Sequence, residues 1–393
     1  MKIGIVADYY LKSGGGENFV NSELENLEIL KKDLKDQVSF DYIVTNKNAF
    51  NELNKKFGNV IHFDKENLIN RTSLFLNSID SIRKLIFKLN INSFENFLKK
   101  KNISLLIFLT PSKLVYFCRR IDFISTIWEL EYKTHPHLPE YKNIHFDLKE
   151  RDNISKFISL YSYATFVGTK KSGDDFSKFY SCDLSRIIQK YTQSAIVNKA
   201  KNLEMPKTTS KKFEYIFYPA QFWSHKNHKF IVNAFEEIKK NNIDLKCVFT
   251  GSDKGYLKKI KKLIEKKELN DFFIFYDYLS DEEIINLYLN CNAVIVPSIV
   301  GTYAFPHIEA FYFEKVVFGS VENLDMEFKK RVIEIDLNHP ENFLKKYLEN
   351  FNQKENIDNM IKQNKEFYDK NFSNQVNTKI YKSIIEKYLS KTI

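Results

Sequence analysis

Two stretches of the chain combine residue types that could bind an anion and act on what it carries. The first, Val294 to Ser320, reads VIVPSIVGTYAFPHIEAFYFEKVVFGS. An apolar strand, Ala293 to Val296, stops at Pro297-Ser298. A loop through Gly301 and Thr302 follows, and then a helix that starts at Pro306 with Glu309 in its first turn. Proline suits a first helical position because its missing N–H would be unpaired there anyway. The free N–H groups of that turn and the helix dipole make an anion site beside the C-terminal end of a strand. A carboxylate one turn in cannot hold the anion, but it accepts hydroxyl hydrogen bonds from a sugar ring attached to it. The stretch suits a sugar phosphate.

The second stretch is YPAQFWSHKNHKFIVNAF, Tyr218 to Phe235. A strand ends at Tyr218, and a polar loop with Gln221, Trp223, His225 and Lys226 leads into an amphipathic helix. Lys226 could neutralise a departing diphosphate as a mobile point charge, or be a surface lysine near a helix start; the residues alone leave both open. His225 and His228 lack a third ligand at metal spacing, so helix-start hydrogen bonding is the expectation. VFTGSDKG sets Gly251 and Ser252 after another strand, a second phosphate-side turn. In YDYLSDEE, Ser280 and Glu283 form a capping box, and backbone around Leu279 could read a nucleobase edge.

The first half offers weaker signals. Gly14, Gly15 and Gly16 precede a helix and would let backbone approach a ligand, with a plain tight turn as the equal alternative. No Gly-Lys-Ser/Thr follows them, and the spaced-glycine dinucleotide pattern is absent. TIWELEYKTHPHLPE, Thr126 to Glu140, places Glu129, Glu131, His135 and His137 in a proline-rich loop. A general base, an acceptor-binding group and plain loop polarity all remain open there. There is no Asp-x-Asp triplet, no Gly-x-Ser-x-Gly elbow and no His-Glu-x-x-His helix. No metal is expected.

Positioning these residues requires strands that deliver loops to one edge. KIGIVAD, FDYIVTN, SLLIFLT and DFISTIWE are apolar strands separated by polar helical stretches such as Glu17 to Leu34, and Ala164 to Tyr180 reads as strand, turn and helix. The periodicity lapses around Asn198 to Lys212, a linker candidate. A second alternating series then runs from FEYIFYPA to AVIVPS. The fold class is α/β: two successive doubly wound parallel sheets, with ligands expected in a cleft between them. The helical tail from Asn356 is expected to pack back on the first domain. IRKLIFKLN, Ile82 to Asn90, alternates basic and apolar residues, as a membrane-surface helix or a core-facing helix with a lysine rim would.

Bulk properties agree. The 393 residues, 43% hydrophobic, suffice for two domains with their own cores. Scarce Gly and Pro (11 and 8) with abundant Phe and Tyr (35 and 22) exclude a fibrous or disordered chain. The longest apolar runs are too short to span a bilayer, and MKIGIVAD reads as a first strand rather than a signal peptide, so a cytoplasmic location is expected. Cys118, Cys182, Cys247 and Cys291 lie far apart and read as reduced structural thiols. The formal net charge of +10 would suit nucleic acid, an anionic membrane surface or phosphorylated substrates. Its lysines are scattered along helices rather than gathered in one arm, which favours a solvated surface over nucleic-acid binding.

Taken together, YPAQFWSHKNHKFIVNAF, SDEEIINLYLNCNAVIVPS and GTYAFPHIEAF, in that order and spacing, resemble the retaining glycosyltransferases of family 4 with the GT-B fold. The likeness spans nearly the whole chain. It is greatest to the branch that builds bacterial surface polysaccharides such as O-antigens and capsules; TIWELEYKTHPHLPE resembles that branch's W-D-L-x-H-R-x-x-P-E-F-P-E stretch. The resemblance implies that Lys226 binds the donor diphosphate and Glu309 the nucleotide ribose. Backbone around Tyr303, Ala304 and Phe305 would touch the transferred sugar and phosphate, and Gly15-Gly16 would close on the diphosphate from the other domain. Gly301 stands where the family's first glutamate is usual, and Gln221 where an arginine pairs with the lysine; the surface-polysaccharide branch shares both. Glu129 and Tyr132 replace an Asp and a His.

The resemblance therefore implies two Rossmann-like domains, 1–197 on the acceptor side and 213–370 binding the nucleotide sugar, with residues 371–393 a helix returning to the first. The implied activity is a metal-independent, retaining hexosyl or deoxyhexosyl transfer from a nucleotide-diphosphate sugar to a glycan or lipid-linked acceptor, with Glu129 and His135 on the acceptor side. No cofactor and no nucleic acid are implied, and peripheral contact with an anionic membrane is an expectation from the lipid-linked acceptors of similar enzymes. The alternative is a catalytically silent GT-B protein that binds a nucleotide sugar or scaffolds a partner.

Overall fold

The computed structural model describes residues 1–8, 15–35, 37–88, 92–142, 147–203, 213–277 and 279–392. Seven strands form the first sheet: β1 (Lys2–Val6), β2 (Ser39–Val44), β3 (Val60–His62), β4 (Leu105–Phe108), β5 (Asp122–Ile127), β6 (Ala164–Val167) and β7 (Ile187–Gln189). Their order is β3-β2-β1-β4-β5-β6-β7 and every pairing is parallel. Six more form the second: β8 (Tyr215–Pro219), β9 (Lys246–Thr250), β10 (Phe273–Tyr276), β11 (Ala293–Val296), β12 (Val316–Gly319) and β13 (Ile333–Glu334). Their order is β10-β9-β8-β11-β12-β13, again all parallel. Parallel sheets are covered by helices on both faces, so their strands are apolar throughout rather than alternating. LLIF of β4 and AVIV of β11 are buried at every residue.

Each sheet reverses its winding once, between β1 and β4 in the first and between β8 and β11 in the second. Loops leaving the carboxyl ends of those strands diverge there and open a crevice, where ligands of such sheets bind. The compact units are residues 1–130, 147–192 and 377–393, and residues 131–146 and 193–376.

The linker expectation is corrected in part. Asn198 to Asn202 belong to a helix, Ala195–Asn202, started by Ser194, whose hydroxyl accepts the Ile196 N–H. Residues 204–212 lie outside the described residues. The first unit's core joins β1, β2, β4 and the helix Gly15–Asp33 to Tyr381, Ile384, Ile385 and Tyr388 of the helix Asn374–Thr392. Within it Lys190 and Glu23 form an ion pair at 2.5 Å, each side chain 1% exposed. A charge taken this far from water must be paired and hydrogen-bonded. Tyr381 and Thr192 hydroxyls donate to the Glu23 carboxylate, and the Lys190 ammonium lies over the rings of Phe166 and Tyr381.

The helix Asp80–Lys88 contains most of the basic stretch from Ile82; Arg83 is buried over Tyr116 and Phe157, while Leu85 is exposed. The preceding helix, Leu68–Ser78, has its polarity inverted. Its buried residues are Ser73 and Asn77, and Leu68, Ile69 and Phe75 are 65–78% exposed. Among the described residues, no helix is long and apolar enough to cross a membrane.

Candidate functional site

The two stretches singled out by their chemistry meet at the reversal point of the second sheet. β8 delivers the loop 220–227 and β11 delivers the loop 297–304. Tyr218, buried at the end of β8, donates its hydroxyl to the Lys226 carbonyl at 2.8 Å and lies 3.3 Å from Ser298 Oγ. The Ile299 N–H donates to the His225 carbonyl at 2.8 Å. Lys226 closes a single 3-10 turn, Ser224–Lys226, and Asn227 in the left-handed region (φ +54°) redirects the chain into the helix His228–Lys240. A short side chain such as asparagine tolerates that backbone.

The Lys226 ammonium is close enough to both helix starts to affect their histidines. Burial pushes the His228 imidazole down to about 3, with Lys226 and His225 lowering it further. Burial likewise pushes His307 down to about 4, again with a contribution from Lys226. Both rings are neutral near pH 7, and neither serves as a cation. His228 stacks on Phe222 at 4.3 Å between ring centres, a packing role. His307 Nδ1 accepts the Ala304 N–H at 3.1 Å and so caps its own helix.

That helix runs from Phe305 to Tyr312 with Pro306 in its first turn. Glu309 therefore lies beyond the first turn rather than within it. It is 5% exposed. Ser194 Oγ donates to one of its carboxylate oxygens and Tyr288 OH to the other, each at 2.5 Å. Burial pushes its carboxyl up, and the two hydroxyls pull it back down. A carboxylate has about four lone-pair positions, so two donors leave it able to accept more. Ser194 lies outside the quoted stretches and Tyr288 within SDEEIINLYLNCN without an assigned role; only the fold places them beside Glu309.

The rim is held by further contacts. Gln221 Nε2 donates to Ser252 Oγ and Trp223 Nε1 donates to Gln221 Oε1, both at 3.1 Å. Gly251, at φ +141°, lets the two strand ends approach; a Cβ there would lie 2.5 Å from the Ala220 carbonyl oxygen. Gly301 has φ +112°. The Thr302 carbonyl accepts from Asp325 N–H at 2.9 Å, and Tyr303 stacks on Phe328. Leu279 is half-buried in the turn before the Ser280–Glu283 capping box.

The remaining sequence candidates lie elsewhere. Glu129 belongs to the first unit and pairs with Arg151 at 2.6 Å, about two-fifths exposed. His135 belongs to the second unit, with its Nδ1 2.8 Å from Thr134 Oγ1. The buried Tyr132 ring packs edge-on against Tyr141. Gly15 opens the helix Gly15–Asp33, with Gly16 half-buried behind it; Gly14 lies outside the described residues. Two carboxylates that were not among those candidates also emerge. Asp8, at the reversal point of the first sheet, accepts from Thr45 Oγ1 and Ser112 Oγ at 2.5 Å each, with Lys65 at 3.5 Å. Glu140 is buried against His225.

Comparison with known proteins places this architecture. Residues 200–367 match the model of "Glycosyl transferases group 1". No curated protein sequence matches the chain. Among solved structures, HepE of Anabaena in complex with UDP-glucose is similar over 98% of this chain and 100% of its own, at 13% identity and TM-score 0.68. Sucrose-phosphate synthase from Thermosynechococcus elongatus is similar over 99% of both chains, at 14% identity and TM-score 0.71. WaaG, a glycosyltransferase involved in lipopolysaccharide biosynthesis, is similar over 93% of this chain and 95% of its own, at 12% identity and TM-score 0.62. The chain therefore has the GT-B fold, and residues 200–367 of its second unit resemble the model of glycosyl transferases group 1.

Proposed function

We propose that the protein is a retaining glycosyltransferase. It moves a hexosyl or deoxyhexosyl group from a nucleotide-diphosphate sugar to a glycan or lipid-linked acceptor in bacterial surface-polysaccharide assembly, at the cytoplasmic face of the membrane. The observation that carries the reading is the junction of the Lys226 turn with the loop leading to the helix Phe305–Tyr312, at the reversal point of the second sheet. An ammonium and the positive end of a helix converge there. Both favour a group that gains negative charge, as a departing diphosphate does.

In this reading the bond between the sugar's anomeric carbon and the diphosphate oxygen breaks, and its electron pair goes to the diphosphate. The acceptor oxygen bonds to the same carbon from the same face, and its proton passes to a leaving phosphate oxygen. Lys226, the positive end of the helix Phe305–Tyr312 and backbone around Tyr303 and Phe305 stabilise the diphosphate as charge develops. Glu309 accepts ribose hydroxyls with the capacity that Ser194 and Tyr288 leave open. The donor is a substrate, and the reading assigns no resident cofactor or metal. The exposed Leu68, Ile69 and Phe75, with Arg71 on the same helix and Lys84 and Lys88 on the next, suit an anionic lipid surface that presents the acceptor.

The test is product formation across UDP-, GDP- and dTDP-sugars with extracted lipid-linked acceptors, for the native protein and Lys226→Ala. The expected result is turnover with one donor and a loss of about 10²–10³-fold in the variant. Full activity in a folded Lys226→Ala protein defeats the assignment. Binding of a nucleotide sugar by the native protein without turnover favours the catalytically silent alternative.

A further inference from the structure

Tyr218 carries a hydroxyl that neither its packing nor the proposed reaction uses. It is the fourth residue of β8 and is fully buried. Its ring packs against His228, with 4.8 Å between centres, and against Phe249, with 6.4 Å. A phenylalanine would make the same contacts. The hydroxyl instead has two partners, one on each loop at the reversal point of the second sheet. It donates to the Lys226 carbonyl at 2.8 Å and lies 3.3 Å from Ser298 Oγ. A phenol has one proton. That proton is spent on the carbonyl, so the Ser298 hydroxyl is the donor in the second bond. Burial pushes the pKa of the phenol up and Ser298 pulls it down, as a donor to its oxygen does.

The turn that carries Lys226 has few bonds of its own. Within Ser224–Lys226 and its flanks, the Lys226 N–H donates to the Trp223 carbonyl at 3.2 Å and the Asn227 N–H to the Ser224 carbonyl at 3.0 Å. The last carbonyls of a helical turn find no partner inside it. Here they are met from outside: the His225 carbonyl by the Ile299 N–H at 2.8 Å, and the Lys226 carbonyl by the Tyr218 hydroxyl. Asn323 Nδ2 donates to the Ile299 carbonyl at 2.7 Å, so the loop after β11 is held from its other side as well. Donation from Ser298 through Tyr218 to Lys226 thus joins the loop after β11 to the loop after β8.

We propose that Tyr218 is a positioning residue for the donor diphosphate, its hydroxyl tying the backbone of Lys226 to the loop that leads to the helix Phe305–Tyr312. The proposal rests on the nucleotide-sugar reading of the site. A lysine ammonium rides on a flexible four-carbon stem, so the volume it searches is set by where its backbone is held. The hydroxyl holds that backbone beside the second loop, and the ammonium and the helix start then meet the same phosphates. Without the hydroxyl both loops remain, but their spacing is no longer fixed at this point. Tyr218 touches no substrate in this account and acts only through Lys226.

The experiment is a double-mutant cycle on the full chain: native, Tyr218→Phe, Lys226→Ala and the pair, each titrated with UDP, GDP and dTDP and with the matching nucleosides. Tyr215→Phe is the control. That tyrosine opens the same strand, is 5% exposed, and donates its hydroxyl to the Leu287 carbonyl at 2.8 Å, away from both loops. Tyr218→Phe is expected to weaken the diphosphate that binds by about 3- to 10-fold, the worth of one hydrogen bond. Its nucleoside affinity should stay native, and the loss should vanish in the Lys226→Ala background, because the two residues act as one. Tyr215→Phe should bind as the native protein does. Native diphosphate affinity in a folded Tyr218→Phe protein overturns the proposal. So does a loss of equal size with and without Lys226, for the nucleoside, or in Tyr215→Phe, since each marks a general loosening of the fold. If Tyr218→Phe does not fold, Ser298→Ala in the same cycle decides by the same criteria. A native protein that binds none of the three diphosphates overturns the nucleotide-sugar reading, and this proposal with it; a loss in Lys226→Ala without one in Tyr218→Phe overturns this proposal alone.

Discussion

Glu309→Gln separates the packing duty of this residue from the ribose-binding role proposed for it. The amide keeps the side chain's volume and one acceptor oxygen. Its NH₂ group then faces a hydroxyl that formerly donated, either Ser194 Oγ or Tyr288 OH. Both hydroxyls can turn and accept instead, so the folding cost is about 1 kcal/mol, one hydrogen bond's net worth. Glu309→Ala is different. It strips two buried hydroxyls of their partner, at about 1–3 kcal/mol each and therefore roughly 2–6 kcal/mol together. For the donor, a ribose hydroxyl loses a bond to a charged acceptor, about 1.5–3 kcal/mol, which is about 10- to 100-fold in affinity.

The acid–base consequence has a definite sign. Burial raises the carboxyl above its ordinary value of 4.5. Between that value and the folded one, the native state binds more protons than the unfolded state. Stability then falls as pH rises through this window and levels off above it. The Gln variant lacks the slope. Urea unfolding at a series of pH values, paired with UDP titration, measures both effects. A Glu309→Gln protein with native UDP affinity removes the ribose role. A native-like fall of its stability with pH removes the buried-carboxylate account.

The remaining predictions concern the rim and the first unit. Gly251→Ala places a Cβ 2.5 Å from the Ala220 carbonyl oxygen at a φ of +141°, against backbone that cannot step aside. A loss of about 2–4 kcal/mol in urea unfolding is expected, with weakened UDP binding because the Gln221–Ser252 contact is displaced; native stability would contradict the close approach. Leu68→Asp with Phe75→Asp removes exposed apolar surface worth about 1.5–3 kcal/mol per residue if buried in lipid. The affinity for vesicles rich in anionic lipid, read by co-sedimentation, should drop by about 100-fold or more at unchanged thermal stability, and unaltered sedimentation would rule that surface out.

Much of this architecture was legible because parallel strands buried on both faces read as short apolar runs. KIGIV, SFDYIV, LLIF and AVIV stand out against lysine-rich helices for that reason. Strands of two or three residues, β3, β7 and β13, were not legible; they are too short to show a period and are held by their neighbours in the sheet. The Lys226 and Glu309 stretches were visible through proline, glycine and charge at strand ends. What surrounds them was not. Glu309 meets Ser194 across 115 positions, and Glu140 meets His225 across 85. Such contacts depend on how distant segments pack, which no local pattern encodes. The inverted helix Leu68–Ser78 was not legible either: Ser73 and Asn77 are buried while Leu68, Ile69 and Phe75 face outward, against the usual polarity.

The route of the chain through the first unit constrains the order in which it can be built. Residues 1–130 and 147–192 leave the ribosome early, yet their core includes Tyr381, Ile384, Ile385 and Tyr388. Until those residues follow, Leu24, Leu27 and Phe166 lack part of their cover, and Glu23 lacks the Tyr381 hydroxyl that helps hold its charge beside Lys190. Residues 193–376 can close around their own sheet in the meantime, on the already emerged segment 131–146. The unit begun first is thus the unit finished last. Removing residues 377–392 should leave residues 131–146 and 193–376 folded while the core of the first unit stays incomplete.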